Sequence, residues 1–592
     1  MFWLSQPQAC CRALALALVS LFAITPVRAQ QSQHATHDTT KSKMPGNMQM
    51  GTQSEKKPSG QSKSKTSAAA KRKASAKSGS KRGSTARRPA KTMTMPAKSA
   101  SKKKPSVMSG MQMDTNLPAA HGDTSAGKTP SMDMQNMSPA ARDSTPMHMP
   151  AKPDSAHMNM PGRHGHTTED MMIGPAGVSM ERMGSGTTWI PDAVSLPNRR
   201  KMIGEWMIMA HGFAFLHYDK QNGERGDDQF GSLNWMMLMA THDLAGGRFQ
   251  ARTMLSLDPL TVTNRGYPLL LQSGESFKGE QLHDRQHPHD FWMELGALYQ
   301  RPITKSLAWS VYAAPSGEPA LGPVAFMHRP SAMDNESAPI GHHWQDATHV
   351  SFGVVTAGVF THTWQLEGSV FNGREPDEHR WDFDPIRLDS YSGRITINPS
   401  IHWSFAGGYG YLKSPEAANP TESMHRITAS AQHGNTFGRD GQIASTIIWG
   451  ANKSSGLPRL SNSFLLESEA ILDRSNTLFG RTELVQKSAE DLVVANPITT
   501  SRGVVLPGLP ATQLFNVGAA QLGYIREVAR THWATIGLGG AGTLNFVPTA
   551  LEPYYGSRKP VGAFLFLRLR PFHTARKPIS DMSGMKMGPG NE

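Results

Sequence analysis

Cysteine is almost missing from this chain of 592 residues: its two cysteines, Cys10 and Cys11, lie within the first dozen positions. No later stretch comes near the 18 uninterrupted apolar residues that a membrane-crossing helix needs. Acids are scarce between residues 31 and 105, where 19 Lys/Arg face only Asp38 and Glu55. Aromatic and branched aliphatic residues are sparse from 30 to 180. These absences exclude a disulfide-built fold, a helical membrane protein, and a single globular domain running the length of the chain.

The cysteines flank Arg12 and an apolar run, Ala13 to Val27, that ends in Val27-Arg28-Ala29. A short apolar run closed by small or modest residues reads as a secretory signal peptide over 1–29, cleaved before Gln30. An uncleaved anchor is the alternative. The mature chain then enters an oxidising compartment without a thiol.

Residues 30–180 cannot bury enough apolar surface to offset their ordering entropy, so this stretch is expected to be a disordered periplasmic leader. Its basic tract holds +17 of the chain's +14, leaving −3 for the rest. The tract reads as a solvated linker or as an adhesive for polyanions. Nucleic acid is not expected as a partner behind a signal peptide.

Methionine is abundant in this same leader. Clusters include Met108, Met111 and Met113; Met132, Met134 and Met137; Met147, His148 and Met149; and His157, Met158, Met160, His164 and His166. The tail 574–592 repeats the theme with Met582, Met585 and Met587. Core methionines would keep apolar company at a helix or strand period. These alternate with Gly, Pro, Gln, Asp and His. Thioethers are soft neutral ligands for Cu(I) or Ag(I), and imidazole adds affinity for Cu(II). Copper or silver is therefore the expected bound metal, with an oxidation-buffering tract as the bland alternative.

From about Lys201 the pattern becomes period two. Ala563, Leu565, Leu567 and Leu569 alternate with Phe564, Phe566, Arg568 and Arg570. Trp364, Leu366 and Val370 alternate with Gln365, Glu367 and Ser369, and Phe464 and Leu466 with Glu467 and Glu469. Alternation alone fits a soluble sandwich or a membrane barrel. Connection lengths favour the barrel. Sixteen candidate strands are joined alternately by short turns and long loops, as in outer-membrane barrels. The expected fold is all-β: an antiparallel transmembrane β-barrel of about 16 strands over 201–573, behind the disordered Met/His/Lys-rich segment. Fourteen or eighteen strands would read similarly. The last strand, VGAFLFLRLRPF, ends on an aromatic, Phe572, although about twenty residues follow it. The cell outer membrane is the expected location, with lipid around the barrel, short turns and both tails in the periplasm, and long loops at the outer mouth or inside the lumen.

In layout the chain resembles the bacterial copper-resistance outer-membrane proteins of the copper resistance protein B (CopB) type. The M-x-M repeats and the terminal strand carry the resemblance. It implies copper handling in periplasm and outer membrane, with metal ions and periplasmic metal-efflux components as partners. It assigns no barrel residue a role.

Two loop clusters hold ligand-type side chains. The first is HDRQHPHD, with His283, Asp284, His287, His289 and Asp290; the second holds His328, Asp334, His342, His343, Asp346 and His349. His283, His287 and His289 could bind Cu(II) or Zn. Arg285, Arg329 and Asp290 could equally hold the loops together without metal. The stretch GREPDEHRWDFD (373–384) reads as loop salt bridges. No nucleophile elbow or zinc-protease helix motif occurs, so an enzyme is not expected. The expected function is copper or silver tolerance: metal capture by the tails, with the barrel as pore or anchor. A general or substrate-specific porin with an incidental Met tail, and a surface adhesin, are the competing classes.

Overall fold

The computed structural model describes Thr168 and residues 170–571. The signal peptide, the leader as far as residue 167, the C-terminal tail and every tail ligand named above lie outside the described residues.

Sixteen strands form the wall: β1 (Trp206–Gln221), β2 (Asp228–Leu244), β3 (Gly247–Leu255), β4 (Trp292–Pro302), β5 (Ala308–Gly317), β6 (Ser351–Phe360), β7 (Trp364–Phe371) and β8 (Ser390–Ser400). The second half is β9 (Trp403–Lys413), β10 (Ser423–Phe437), β11 (Gly441–Ser454), β12 (Ser461–Ile471), β13 (Asn476–Ser488), β14 (Leu514–Arg530), β15 (Ala534–Phe546) and β16 (Val561–Pro571). Neighbours in sequence pair antiparallel, and β16 pairs back onto β1, closing the barrel. Each strand lies where the alternation placed it. Turns such as 245–246 and 361–363 gather at one end and long connections at the other. At the seam, β1 is shared. A short strand, Arg199–Ile203, pairs with its first residues, and β16 pairs with its second half from Ala214 onward.

The two faces divide as a lipid-embedded barrel requires. Leu565, Leu567 and Leu569 of β16 point outward, while Phe564, Phe566, Arg568 and Arg570 are buried inside. Leu366 and Val370 face out from β7, and Gln365, Glu367 and Ser369 face in. Exposed Trp206, Trp364, Trp403 and Trp533 sit beside the short turns, and exposed Tyr218, Phe230, Tyr391 and Phe546 near the long loops. Two aromatic belts flanking an apolar band mark the two interfaces of a bilayer. The chain is an outer-membrane β-barrel whose outer surface meets lipid.

The lumen is filled by three segments. The first is 170–198, whose first residues composition had grouped with the leader. Met171, Met172 and Met180 are buried there against Met207, because the inner wall offers them apolar partners that the leader lacks. The second is a hairpin, Tyr267–Phe277 with Glu280–Gln286, inside the connection from β3 to β4. The third is the loop from β5 to β6, in which every residue from 318 to 350 is buried.

Candidate functional site in the lumen

The third segment, hereafter the plug loop, is held by wall charges that alternation had turned inward. Arg329 donates through Nε to Glu467 Oε1 at 2.6 Å and through Nη1 to Asp346 Oδ2 at 2.6 Å. Arg481 donates to the other oxygen of Glu467 at 3.0 Å. Asp334 pairs with Arg568 and, at 2.9 Å, with Arg570. Glu336 pairs with His217 of β1 at 2.9 Å. Phe326, Met327 and Met333 join an apolar cluster with Phe213, Trp235 and Met237, on and beside the strand that carries His217. The loop therefore docks by buried apolar area and buried ion pairs together.

At the loop end of the lumen the two predicted clusters meet. His287 and His289 lead into β4, and His342, His343 and His349 lead into β6. Ring centroids lie 5.3 Å apart for His342 and His343, 5.1 Å for His342 and His349, and 5.5 Å for His289 and His349. His287 stands 5.8 Å from His343 and 6.2 Å from His342. Phe326 packs against His289, His342 and His349.

Each imidazole is oriented through Nδ1. His289 bonds Asp258 Oδ2 at 2.8 Å, His342 bonds Asp346 Oδ1 at 2.8 Å, and His349 bonds the Asp346 carbonyl at 2.9 Å. His287 meets Glu275 at 3.0 Å, and His343 meets Glu375 Oε1 at 3.0 Å. Carboxylates and carbonyls only accept, so Nδ1 carries a proton in His289, His342 and His349, and in the neutral imidazole Nε2 then holds the lone pair. Nε2 of His289, His342, His343 and His349 is buried without a hydrogen-bond partner. In His289, His342 and His349 an outer-shell partner holds one ring nitrogen and the other is left free, as metal-ligating histidines are arranged. Burial pushes the His343 imidazole down to about 4 and that of His349 to about 3, so both are neutral at pH 7. Burial pushes the Glu375 carboxyl up to about 7 and that of Glu318, at the start of the plug loop, up to about 8. Asp346 goes the other way: burial alone would raise it, but Arg329 and His342 hold its carboxyl below the usual range.

The remaining predicted residues separate. His283 is about one-third exposed and joins Asp284 and Arg225 rather than the imidazole group. His328 lies deeper, 3.3 Å from Met254 Sδ and packed on Trp235 and His211. Arg285 pairs with Asp227, and Arg380 ties Glu275 to Asp290, as a loop-bracing role implies. Asp258, Glu275 and Glu416 carried no sequence signal, since their partners lie tens of residues away.

No family model matches this chain, and no curated protein does. Among solved structures it is similar to the anion-selective porin from Comamonas acidovorans, with 12% identity over 62% of this chain and 100% of that one, at a TM-score of 0.38. Salmonella typhi OmpF in complex with daunomycin shows 7% identity over 63% of this chain and 100% of that chain, also at 0.38. The outer membrane channel DcaP of Acinetobacter baumannii shows 8% identity over 63% and 100%, at 0.34. At these scores the likeness carries no functional argument, and the barrel rests on its own strand pairing. None of these matches is to a copper-resistance protein.

Proposed function

We propose that this protein is a substrate-specific outer-membrane passage held shut by its own plug loop. One observation carries this: the unbroken burial of residues 318–350 within a sixteen-strand wall. A barrel of that size leaves an aqueous channel when its lumen is clear. Here the lumen is occupied by a segment latched through buried ion pairs, which suits selective opening and not free diffusion. The reading is of a passage, with no catalytic role.

Single-channel conductance in planar bilayers tests it. The intact protein should be closed most of the time, and a variant lacking 320–348 should conduct steadily. Steady conduction by the intact protein would indicate a general porin. A silent deletion variant would indicate an anchor.

Copper or silver tolerance is the second reading. It is favoured by the free imidazole nitrogens, by the Met254–His328 contact, and by the M-x-M repeats at Met108, Met111 and Met113. In that reading the tails capture Cu(I) or Ag(I) in the periplasm. Cu(I) stoichiometry with and without residues 30–166 should differ by several equivalents, and no difference would remove the tail from the function.

A further inference from the structure

The outer side of the imidazole group carries a donor set that ion pairing does not explain. His343 Nδ1 lies 3.0 Å from Glu375 Oε1 and 3.9 Å from Glu416 Oε1. One ligand atom from each of the three residues falls within 4.8 Å of the others. The plug loop supplies His343, the β7–β8 connection Glu375, and the β9–β10 connection Glu416. No single turn could produce this convergence.

Of the nearby cations, Arg426 acts on Glu375 and Glu416 through its charge, with no ion pair to either. Arg380 is bound to Glu275 and Asp290, and Arg426 to Asn452 and the His343 carbonyl. Among the described residues, neither Glu375 nor Glu416 makes an ion pair with Lys or Arg; His343 is the basic partner of both. Glu375 is only 7% exposed, and its Oε2 has no hydrogen-bond partner. A buried carboxylate oxygen left bare is costly, and such an atom calls for an ion or water. The imidazole is held in place by close approach to Gly274, where a Cβ would fall 2.3 Å from the His343 ring.

We propose that His343, Glu375 and Glu416 form a site for a borderline divalent cation of the Zn2+, Ni2+ or Cu2+ class. Imidazole nitrogen disfavours Ca2+ and Mg2+, which take oxygen ligands. Two carboxylates disfavour Cu(I) and Ag(I), which take sulfur. A cation has a route in. A cavity of about 470 Å3 opens on this site and is lined by Glu375 and Glu416 together with exposed Asp377, Glu378 and His379. A concave acidic wall concentrates cations at its base. The site thus names a cargo class for the passage, and only that use of it rests on the passage reading.

The test is Zn2+ binding to the full mature protein in detergent, alongside Glu375→Gln and Glu416→Gln. Each variant should bind one equivalent fewer, with Cu(I) stoichiometry unchanged. Glu416 is partly exposed, so its amide variant keeps the test open if the buried one fails to fold. Equal Zn2+ stoichiometry in the wild type and Glu416→Gln overturns the site, as does equal affinity for Ca2+. Conductance separates the two proposals. A lost equivalent without any Zn2+ effect on current leaves the site standing and removes its use as a cargo site, while a silent 320–348 deletion variant removes the passage. A Zn2+ effect on current with no lost equivalent removes the site and leaves the passage standing.

Discussion

Asp334 sits between Arg568 and Arg570, and all three are buried. Asp334→Ala would leave two guanidinium groups with Glu527 alone to balance them. Breaking a buried pair in this way costs about 3–5 kcal/mol. The plug loop should bear that cost, so the variant is expected to open more often in single-channel records while the barrel keeps its strand signature in circular dichroism. Glu318 gives a pH test. Its carboxyl is raised from 4.5 to about 8. Stability from a raised group is fully present below the unfolded value and is lost as pH rises through the folded one. Docking should therefore weaken between about pH 4.5 and 8. Glu318→Gln removes that alkaline loss. Thermal melts of the variant and wild type should converge near pH 5 and separate near pH 9, with the variant higher; parallel curves would refute it.

At the level of elements, the hairpin Tyr267–Phe277/Glu280–Gln286 depends on one backbone position. Gly274 has φ +112°, a region side chains avoid, and the His343 ring lies against it. Gly274→Ala should cost roughly 1–2 kcal/mol from backbone strain alone, plus displacement of the imidazole. A lowered melting temperature together with a lost Zn2+ equivalent would show that hairpin and plug loop meet there. The wall strands were legible in sequence because each side chain on them sees one of only two environments. Glu467 and Glu469 alternate with Phe464 and Leu466 whichever loop lies inside. The filling was not legible. The stretch around AFMHRPSAMDNESAPIGHHWQD mixes Pro, Gly, Ser and charge as exposed loops do. Its burial comes from Glu467, Arg481 and Arg568, more than a hundred residues further along. Composition alone therefore leaves the long loops at the mouth or in the lumen. Both histidine clusters stand out in the sequence, but nothing in it shows that His287 and His289 meet His342, His343 and His349, or that Glu375 and Glu416 stand beside His343.

For the whole molecule, the outward apolar band and the inward charged wall describe a barrel whose contents matter as much as its shell. Removal of 320–348 strips Arg329, Asp334 and Glu336 from the wall together, leaving Glu467, Arg568 and His217 to water. The deletion variant should remain folded, since those wall groups regain solvation, and should conduct in an ion-selective way set by the exposed charges. Reversal potentials under a salt gradient would measure this. The latch also reaches across the chain: Asp334 bonds Arg570 across a sequence separation of 236 residues. Contacts of such separation form late and slowly, because a long loop must close before they return anything. The final strand is therefore both the seam of the wall and the anchor of the plug. An assembly intermediate waiting for β16 would be unzipped along its side and uncorked at once, and the arrival of that one strand would end both conditions in a single kinetic step.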